Sequence, residues 1–242
     1  MRAITILTAI LAFAFSLPAQ VKRPVEEFQT SEGTVKITPI RHASLMIEAG
    51  GQVIHVDPSM AGNYEGLPAA DVVLITDVHG DHMDPKAIEK VHKAGTTVIA
   101  PKAVVEKGVE ATVINNGESK KIGKWNIEAI PMYNLTRGPS AGTLYHDKGR
   151  GNGYVLTYGG KRFYIAGDTE GIPEMRGLKN IDVAFIPMNL PYTMTPAEAA
   201  DAVRAFAPKV AYPYHYQKSD VNAFKSDLAN TKIDVRILDW YY

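Results

Sequence analysis

The stretch ITDVHGDHMD, residues 75–84, sets two histidines and three aspartates into ten positions. It overlaps the end of an apolar run, DVVLIT at 71–76. Asp and His are costly to desolvate at a strand end, so a cluster this dense has something to coordinate or to protonate. In an extended chain, residues two apart point to the same side, and Asp77 and His79 can therefore share one target. Beyond the permissive Gly80, Asp81 and His82 can turn toward a second.

Working outward, DVVLIT is a short continuous apolar run that suits a strand buried on both faces. The cluster then sits at the C-terminal strand end, where α/β sheets carry their sites. Asp84-Pro85 supplies an N-cap and a first helical residue, Ile88 and Val91 mark an apolar face, and Gly95 is expected to stop that helix before TTVIAP. His92 is read as a solvated mid-helix residue. Upstream, TVKITPI and SLMIEAGGQVIHVD read as strands turning at Gly50-Gly51, with His55 packed inside one of them. Downstream, WNIEAIPMY is a strand among short elements, and GYVLTYGGKRFYIAGD is a hairpin over Gly159-Gly160. IDVAFIPMN is a strand, and Thr195 to Glu198 forms a capping box. VAYPYHY, a helix from about Asp220 and KIDVRIL complete the chain. Each half runs strands first with helices between them, which gives one α/β domain.

The chain has 242 residues, 45% hydrophobic, and its 26 basic residues balance 26 acidic ones. That balance argues against a nucleic-acid partner or an anionic membrane surface. Residues 1–19 read as an export signal, with Arg2, an apolar stretch and the small Ala19, so the protein is expected to be periplasmic or secreted; the alternative is an uncleaved N-terminal anchor. The apolar stretch falls short of the ~20 residues a spanning helix needs, so no integral membrane segment is expected beyond the signal. Residues 20–33 read as a linker and 34–242 as the domain. The chain has no cysteine, so any metal must be held by His and carboxylate. The oligomeric state is not legible.

Further His and Asp fall at the ends of other strands: His146 in YHDKGRGNGY, Asp168 in IAGDTE and His215 in YPYHYQ. With Asp77, His79, Asp81 and His82 they make seven candidate ligands. The ordered set closely resembles the metallo-β-lactamase fold superfamily, whose first motif H-x-H-x-D-H is followed by a His, a bridging Asp and a last His. RHASLMIEAG, VIHVDP, HDKGRGNGY, AGDT and TMTPAEAADAVRAFAPKVAYPYHY narrow the resemblance to the ascorbate-phosphate-lactonase-like branch of hydrolases. Asp77 departs from the pattern, standing where the superfamily usually has its first His. The resemblance implies a four-layer αβ/βα sandwich and two divalent metal ions. Asp77, His79 and His146 would hold one ion, Asp81, His82 and His215 the other, and Asp168 would bridge them. It also implies that His42 lines the site and that Asp57 supports a ligand from behind.

Zinc is the first expectation for the pair, with manganese or iron as alternatives. Two divalent cations bring four positive charges, and Asp77, Asp81, Asp168 and a bridging hydroxide bring four negative ones. Asp77 is therefore expected to weaken Lewis acidity at the first ion and to tilt it toward harder metals. The implied chemistry is attack of a metal-bound hydroxide on a small molecule, with Asp81 orienting the nucleophile or accepting its proton. A lactone or ester is the first choice of substrate, and a β-lactam or phosphodiester the next. The competing class is a non-catalytic metal-binding protein that retains the fold, to which only Asp77 points. GRGNGY does not fit a phosphate loop, because it lacks the Lys-Ser/Thr ending and precedes a strand. Lys148 and Arg150 within it are read as anion contacts. Tyr192, Tyr214 and Tyr216 are read as packing residues, with substrate contact as the alternative for the two beside His215.

Overall fold

The computed structural model describes residues 23–241. The export signal expected over 1–19 lies outside them. The chain opens with four antiparallel strands: β1 (Glu26–Thr30), β2 (Gly33–Arg41), β3 (Ser44–Ala49) and β4 (Gln52–Val56). The β3–β4 turn is the expected Gly50-Gly51 pair, both at positive φ, the backbone that two-residue hairpins favour. Parallel pairing then takes over through β5 (Val72–Leu74), helix α1 (Pro85–Val91), β6 (Thr97–Ala100), helix α2 (Lys102–Val105) and β7 (Thr112–Val113).

The second sheet repeats the plan. Antiparallel β8 (Ser119–Ile122), β9 (Trp125–Met132), β10 (Gly151–Tyr158) and β11 (Lys161–Ile165) come first. Helix α3 (Pro173–Arg176), β12 (Val183–Pro187), helix α4 (Pro196–Phe206), β13 (Val210–Tyr214), helix α5 (Val221–Asp227) and β14 (Asp234–Val235) follow, with β11 to β14 parallel. In both sheets the strand order is the chain order. β5 and β12 thus hold equivalent fifth places, and both are buried along their whole length, as strands covered on two faces must be.

Three apolar layers fix the architecture. Val35, Ile37, Leu45, Trp125, Phe163 and Tyr212 pack between the sheets. Ile88, Val91 and Val104 of the first two helices cover one outer face, and Met175, Val203, Phe206 and Phe224 cover the other. Each such fully buried large side chain contributes roughly 1.5–3 kcal/mol. The result is the four-layer αβ/βα sandwich that the resemblance implied.

Two local expectations are corrected. Glu26–Thr30, read as linker, is a strand, because it pairs along its whole length with Gly33–Ile37 across a two-residue turn. Helix α1 ends at Val91 rather than near Gly95, because the Val91 carbonyl is taken by the Ala70 amide at 2.7 Å. His92 is the extended C-cap residue, exposed but not mid-helix.

Candidate metal centre

After β5 the backbone folds tightly over His79, whose carbonyl accepts the amides of His82 and Met83 at 3.0 and 2.9 Å. Asp84 then caps α1 by accepting the amides of Lys86 and Ala87. The turn swings His82 back beneath the strand, fully buried, while His79 keeps a side chain 44% exposed at the mouth. Asp168 follows β11, His215 follows β13, and His146 lies in the β9–β10 connection. All four segments meet at one edge of the sandwich.

All seven expected residues come together there. Asp81, His82, Asp168 and His215 form one cluster, and Asp77, His79 and His146 a second, with ligand atoms within 4.8 Å of one another in each. Asp168 stands between them: its Oδ2 is 3.2 Å from Nε2 of both His82 and His146, and its Oδ1 is 3.2 Å from His215 Nε2. Nε2 of His82, Nε2 of His146 and Oδ1 of Asp168 are buried yet make no hydrogen bond. Buried polar atoms are ordinarily satisfied, so three converging orphans fit a pair of cations shared by these donors.

The outer partners fix which imidazole nitrogen faces inward. His82 Nδ1 donates to Asp57 Oδ2 at 2.9 Å, and Asp57 is itself held by the Thr76 amide and hydroxyl at 2.7 and 2.6 Å. His146 Nδ1 donates to Asn134 Oδ1 at 2.7 Å. Each bond leaves the Nε2 lone pair aimed at the cluster, the arrangement that raises ligand basicity. A carboxylate can only accept, so His42 Nε2 donates to Asp81 Oδ2 at 3.2 Å. His42 Nδ1 then accepts from the Tyr241 hydroxyl at 2.7 Å, which accepts from the Gln217 amide. His42 also lies against the His215 ring, with centroids 3.7 Å apart. It touches two candidate ligands and is placed to orient both.

Backbone strain gathers at the same edge. His42, Asp57 and His215 all have left-handed φ, at 56°, 47° and 50°. Each non-glycine residue held there costs on the order of 1–3 kcal/mol, and such strain clusters at functional sites.

The charges are strongly coupled. Burial disfavours ionised His82, but Asp168 and Asp57 more than offset it and push the imidazole well above its usual range. Burial likewise opposes ionised Asp168, yet the surrounding histidines hold it well below the ordinary carboxylate range. For Asp77, burial is outweighed by the His79 hydrogen bond and by the positive charge of His82 and Arg150, which bring it down to about 2.

The Arg150 and Lys148 expectations are corrected. Arg150 Nε and Nη2 grip Asp77 Oδ1 and Oδ2 at 3.1 and 2.9 Å, and Nη1 donates to the Tyr145 carbonyl at 2.8 Å. Lys148 pairs with Glu174 at 2.7 Å. Neither is free for an anion. The glycines beside Arg150 serve packing: a Cβ on Gly153 would lie 2.8 Å from the Ala166 carbonyl oxygen, and one on Gly151 2.9 Å from that of Thr76.

A cleft of about 350 Å³ opens over the cluster, walled by Tyr145, Asn189, Tyr192 and Gln217 as well as candidate ligands. Tyr192 is 42% exposed and meets Tyr145 edge-on with ring centroids 5.0 Å apart, so it is a cleft wall rather than the packing residue expected. Tyr214 and Tyr216 do pack, their hydroxyls bonded to Gly167 and Leu238. Sequence reading missed Asn134, Tyr145 and Tyr241, whose roles come from long-range contacts. A larger groove of about 680 Å³ lies by α1 and β7, but no cluster of potential metal ligands is found in it among the described residues. Chemistry, not volume, marks the site.

The layered fold and the His/Asp ring at its edge define a metal-dependent hydrolase of metallo-β-lactamase type. A family model described as the beta-lactamase superfamily domain matches residues 36–215, and the chain belongs to that superfamily. It is 30% identical over 228 residues to a UPF0173 metal-dependent hydrolase of Deinococcus radiodurans, covering 85% of this chain and 96% of the relative. A crystal structure of a candidate metal-dependent hydrolase from Parabacteroides distasonis is similar, with TM-score 0.85 and 46% identity over 90% of this chain and 99% of that one. Igni18, a metallo hydrolase of Ignicoccus hospitalis, superimposes with TM-score 0.70 and 26% identity, covering 85% of this chain and 95% of that one.

Proposed function

We propose that the protein is an exported hydrolase that uses two divalent ions to cleave a small, uncharged ester or lactone carrying an apolar group. The carrying observation is the cleft: Tyr145 and Tyr192 face it beside the ligand ring, and no Lys or Arg lines it among the described residues. A phosphodiester would need a cationic contact that Arg150 and Lys148, both already paired, do not offer.

Bound ions would supply a hydroxide nucleophile at neutral pH and stabilise the developing oxyanion. The chain's own residues do the rest. Asp77, His79 and His146 would hold one ion, Asp81, His82 and His215 the other, with Asp168 shared. Asp57 and Asn134 keep His82 and His146 in the tautomer that presents Nε2. Asp81, whose side chain is 42% exposed at the cleft, is placed to take the proton of the attacking water, while His42 holds its Oδ2. Tyr145 and Tyr192 seat the apolar group. Zinc suits this imidazole-rich set, with manganese or iron as alternatives. Export rests on the N-terminal residues alone.

The test is a panel of chromogenic aryl esters, lactones, a cephalosporin and a phosphodiester, assayed with and without a chelator. Chelator-sensitive turnover is expected to be highest on aromatic or aliphatic esters and lactones. Preference for the phosphodiester would sink the substrate assignment.

A further inference from the structure

We propose that Arg150 is a positioning residue of the metal centre, and that Asp77 and Arg150 act together as one neutral ligand unit in the place of a histidine. The Asp77 side chain is fully buried, where an unpaired carboxylate is strongly disfavoured. Arg150 meets it with a two-point fork at 3.1 and 2.9 Å, the geometry in which guanidinium and carboxylate bond most strongly. Its remaining terminal nitrogen holds the Tyr145 carbonyl, one residue before His146. One guanidinium thus ties two of the three members of the first cluster, Asp77 directly and His146 through its loop.

Charge points the same way. Asp77, Asp81, Asp168 and Arg150 sum to −3 + 1 = −2 on the protein side. A histidine at position 77, without the arginine, would leave Asp81 and Asp168, again −2. The Asp77–Arg150 pair therefore offers two cations the same total charge as the imidazole it replaces. On this proposal the first ion keeps the acidity it would have beside a histidine, because the carboxylate is counted together with its partner. Oδ2, the oxygen that accepts from Arg150 Nη2, also takes the His79 Nδ1 contact at 2.9 Å and lies 3.9 Å from His146 Nε2, so one carboxylate oxygen meets both the guanidinium and the cluster.

The inference rests on the metal-centre reading, and metal binding tests both separately. Full-length wild type, Arg150→Met, Arg150→Lys, Asp77→His and the double variant Asp77→His/Arg150→Met are stripped of metal. Zn²⁺ and Mn²⁺ affinities are then measured by competition with a chromogenic chelator, with circular dichroism and melting as fold controls. Wild type is expected to bind two ions. Arg150→Met should weaken one of them by roughly 10- to 100-fold and leave the other unchanged. Arg150→Lys keeps the charge but loses the fork, so it should weaken the same ion and stands in if the Met variant does not fold. Asp77→His leaves an uncompensated guanidinium beside the cations and should also lose that ion, whereas the double variant should regain it. A wild type that binds no ion would sink the metal-centre reading. Arginine variants that bind both ions like wild type, or a double variant no tighter than Asp77→His, would overturn the Asp77–Arg150 unit alone.

Discussion

The loop after β5 and the loop after β12 occupy the same place in the two halves of the fold. Each leaves a wholly buried strand and enters a helix that begins with proline and is capped by a side chain, Asp84 for α1 and Thr195 for α4. The first loop carries Asp77, His79, Asp81 and His82. The second carries Asn189, Leu190 and Tyr192, closed on itself by the Asn189 amide donating to Thr193 Oγ1 at 2.7 Å. Asp77 and His82 are fully buried, while Leu190 and Tyr192 are 49% and 42% exposed. One framework thus offers two equivalent platforms, one carrying candidate ligands and the other the cleft wall.

Substitutions on the two platforms should therefore differ most at the chemistry. His82→Ala removes an Nε2 that faces Asp168, and kcat/KM on a chromogenic ester should fall by more than roughly 100-fold, beyond the usual loss from an outer partner. Asn189→Ala on the equivalent loop should cost less than about tenfold. Comparable losses would break the division of labour. One step smaller is Asp57→Asn, which removes the carboxylate behind His82; metal affinity should drop roughly 10- to 100-fold in chelator competition, with the fold retained.

Asp57 and Asp168 also show what the sequence made legible. Both follow a Gly-Gly hairpin in their own half, after β4 and β11, and both touch His82 from opposite sides. The strand-end positions, the loop before α1 and all seven converging residues are readable because each depends on local pattern. Asn134, Tyr145 and Tyr241 are not, because nothing near them in the chain announces a partner 12 or more residues away. Arg150 failed for the same reason: its partner is 73 residues upstream. His42 and His215 share a left-handed backbone and a bond from the His215 amide to the His42 carbonyl at 3.1 Å, and a lone histidine carries no sign of either.

Proton and metal should compete on the first platform. The His82 pKa is raised in the metal-free fold, so its stabilisation is fully present below the ordinary 6.5 and is lost as pH rises through the elevated value. Asp168 is lowered, so its contribution is present above 3.8 and is lost as pH falls toward its depressed value. Metal binding requires the neutral imidazole and strengthens with pH. The melting-temperature gap between zinc-loaded and stripped protein should widen steadily from about pH 6 to 9. A gap independent of pH would show that His82 does not exchange a proton for metal.

The second platform should govern substrate rather than metal. Tyr192→Ala removes half of the edge-on Tyr145–Tyr192 pair, and such an aromatic pair is worth about 0.5–1.5 kcal/mol beyond its buried area. KM for an ester with an aromatic acid part should rise several-fold, with little change in kcat and none in metal content. An acetate ester, too small to reach the wall, should respond less. Equal responses would place the substrate elsewhere in the cleft.

The smallest effect should separate the platform from the helix behind it. Thr195 accepts the Glu198 amide, and Glu198 in turn accepts the Thr195 amide at 2.7 Å. Thr195→Ala removes this reciprocal cap and should cost about 1 kcal/mol, which lowers the melting temperature of a chain this size by roughly 2–4 °C. Asn189, Tyr192 and Thr193 are held by bonds within their own loop and by the Asn134 side-chain amide, which donates to the Tyr192 carbonyl at 2.8 Å, so ester KM should stay unchanged. A KM that rose together with the loss of stability would mean that the cleft wall is set by the start of α4, and the two loops would then differ in support as well as in chemistry.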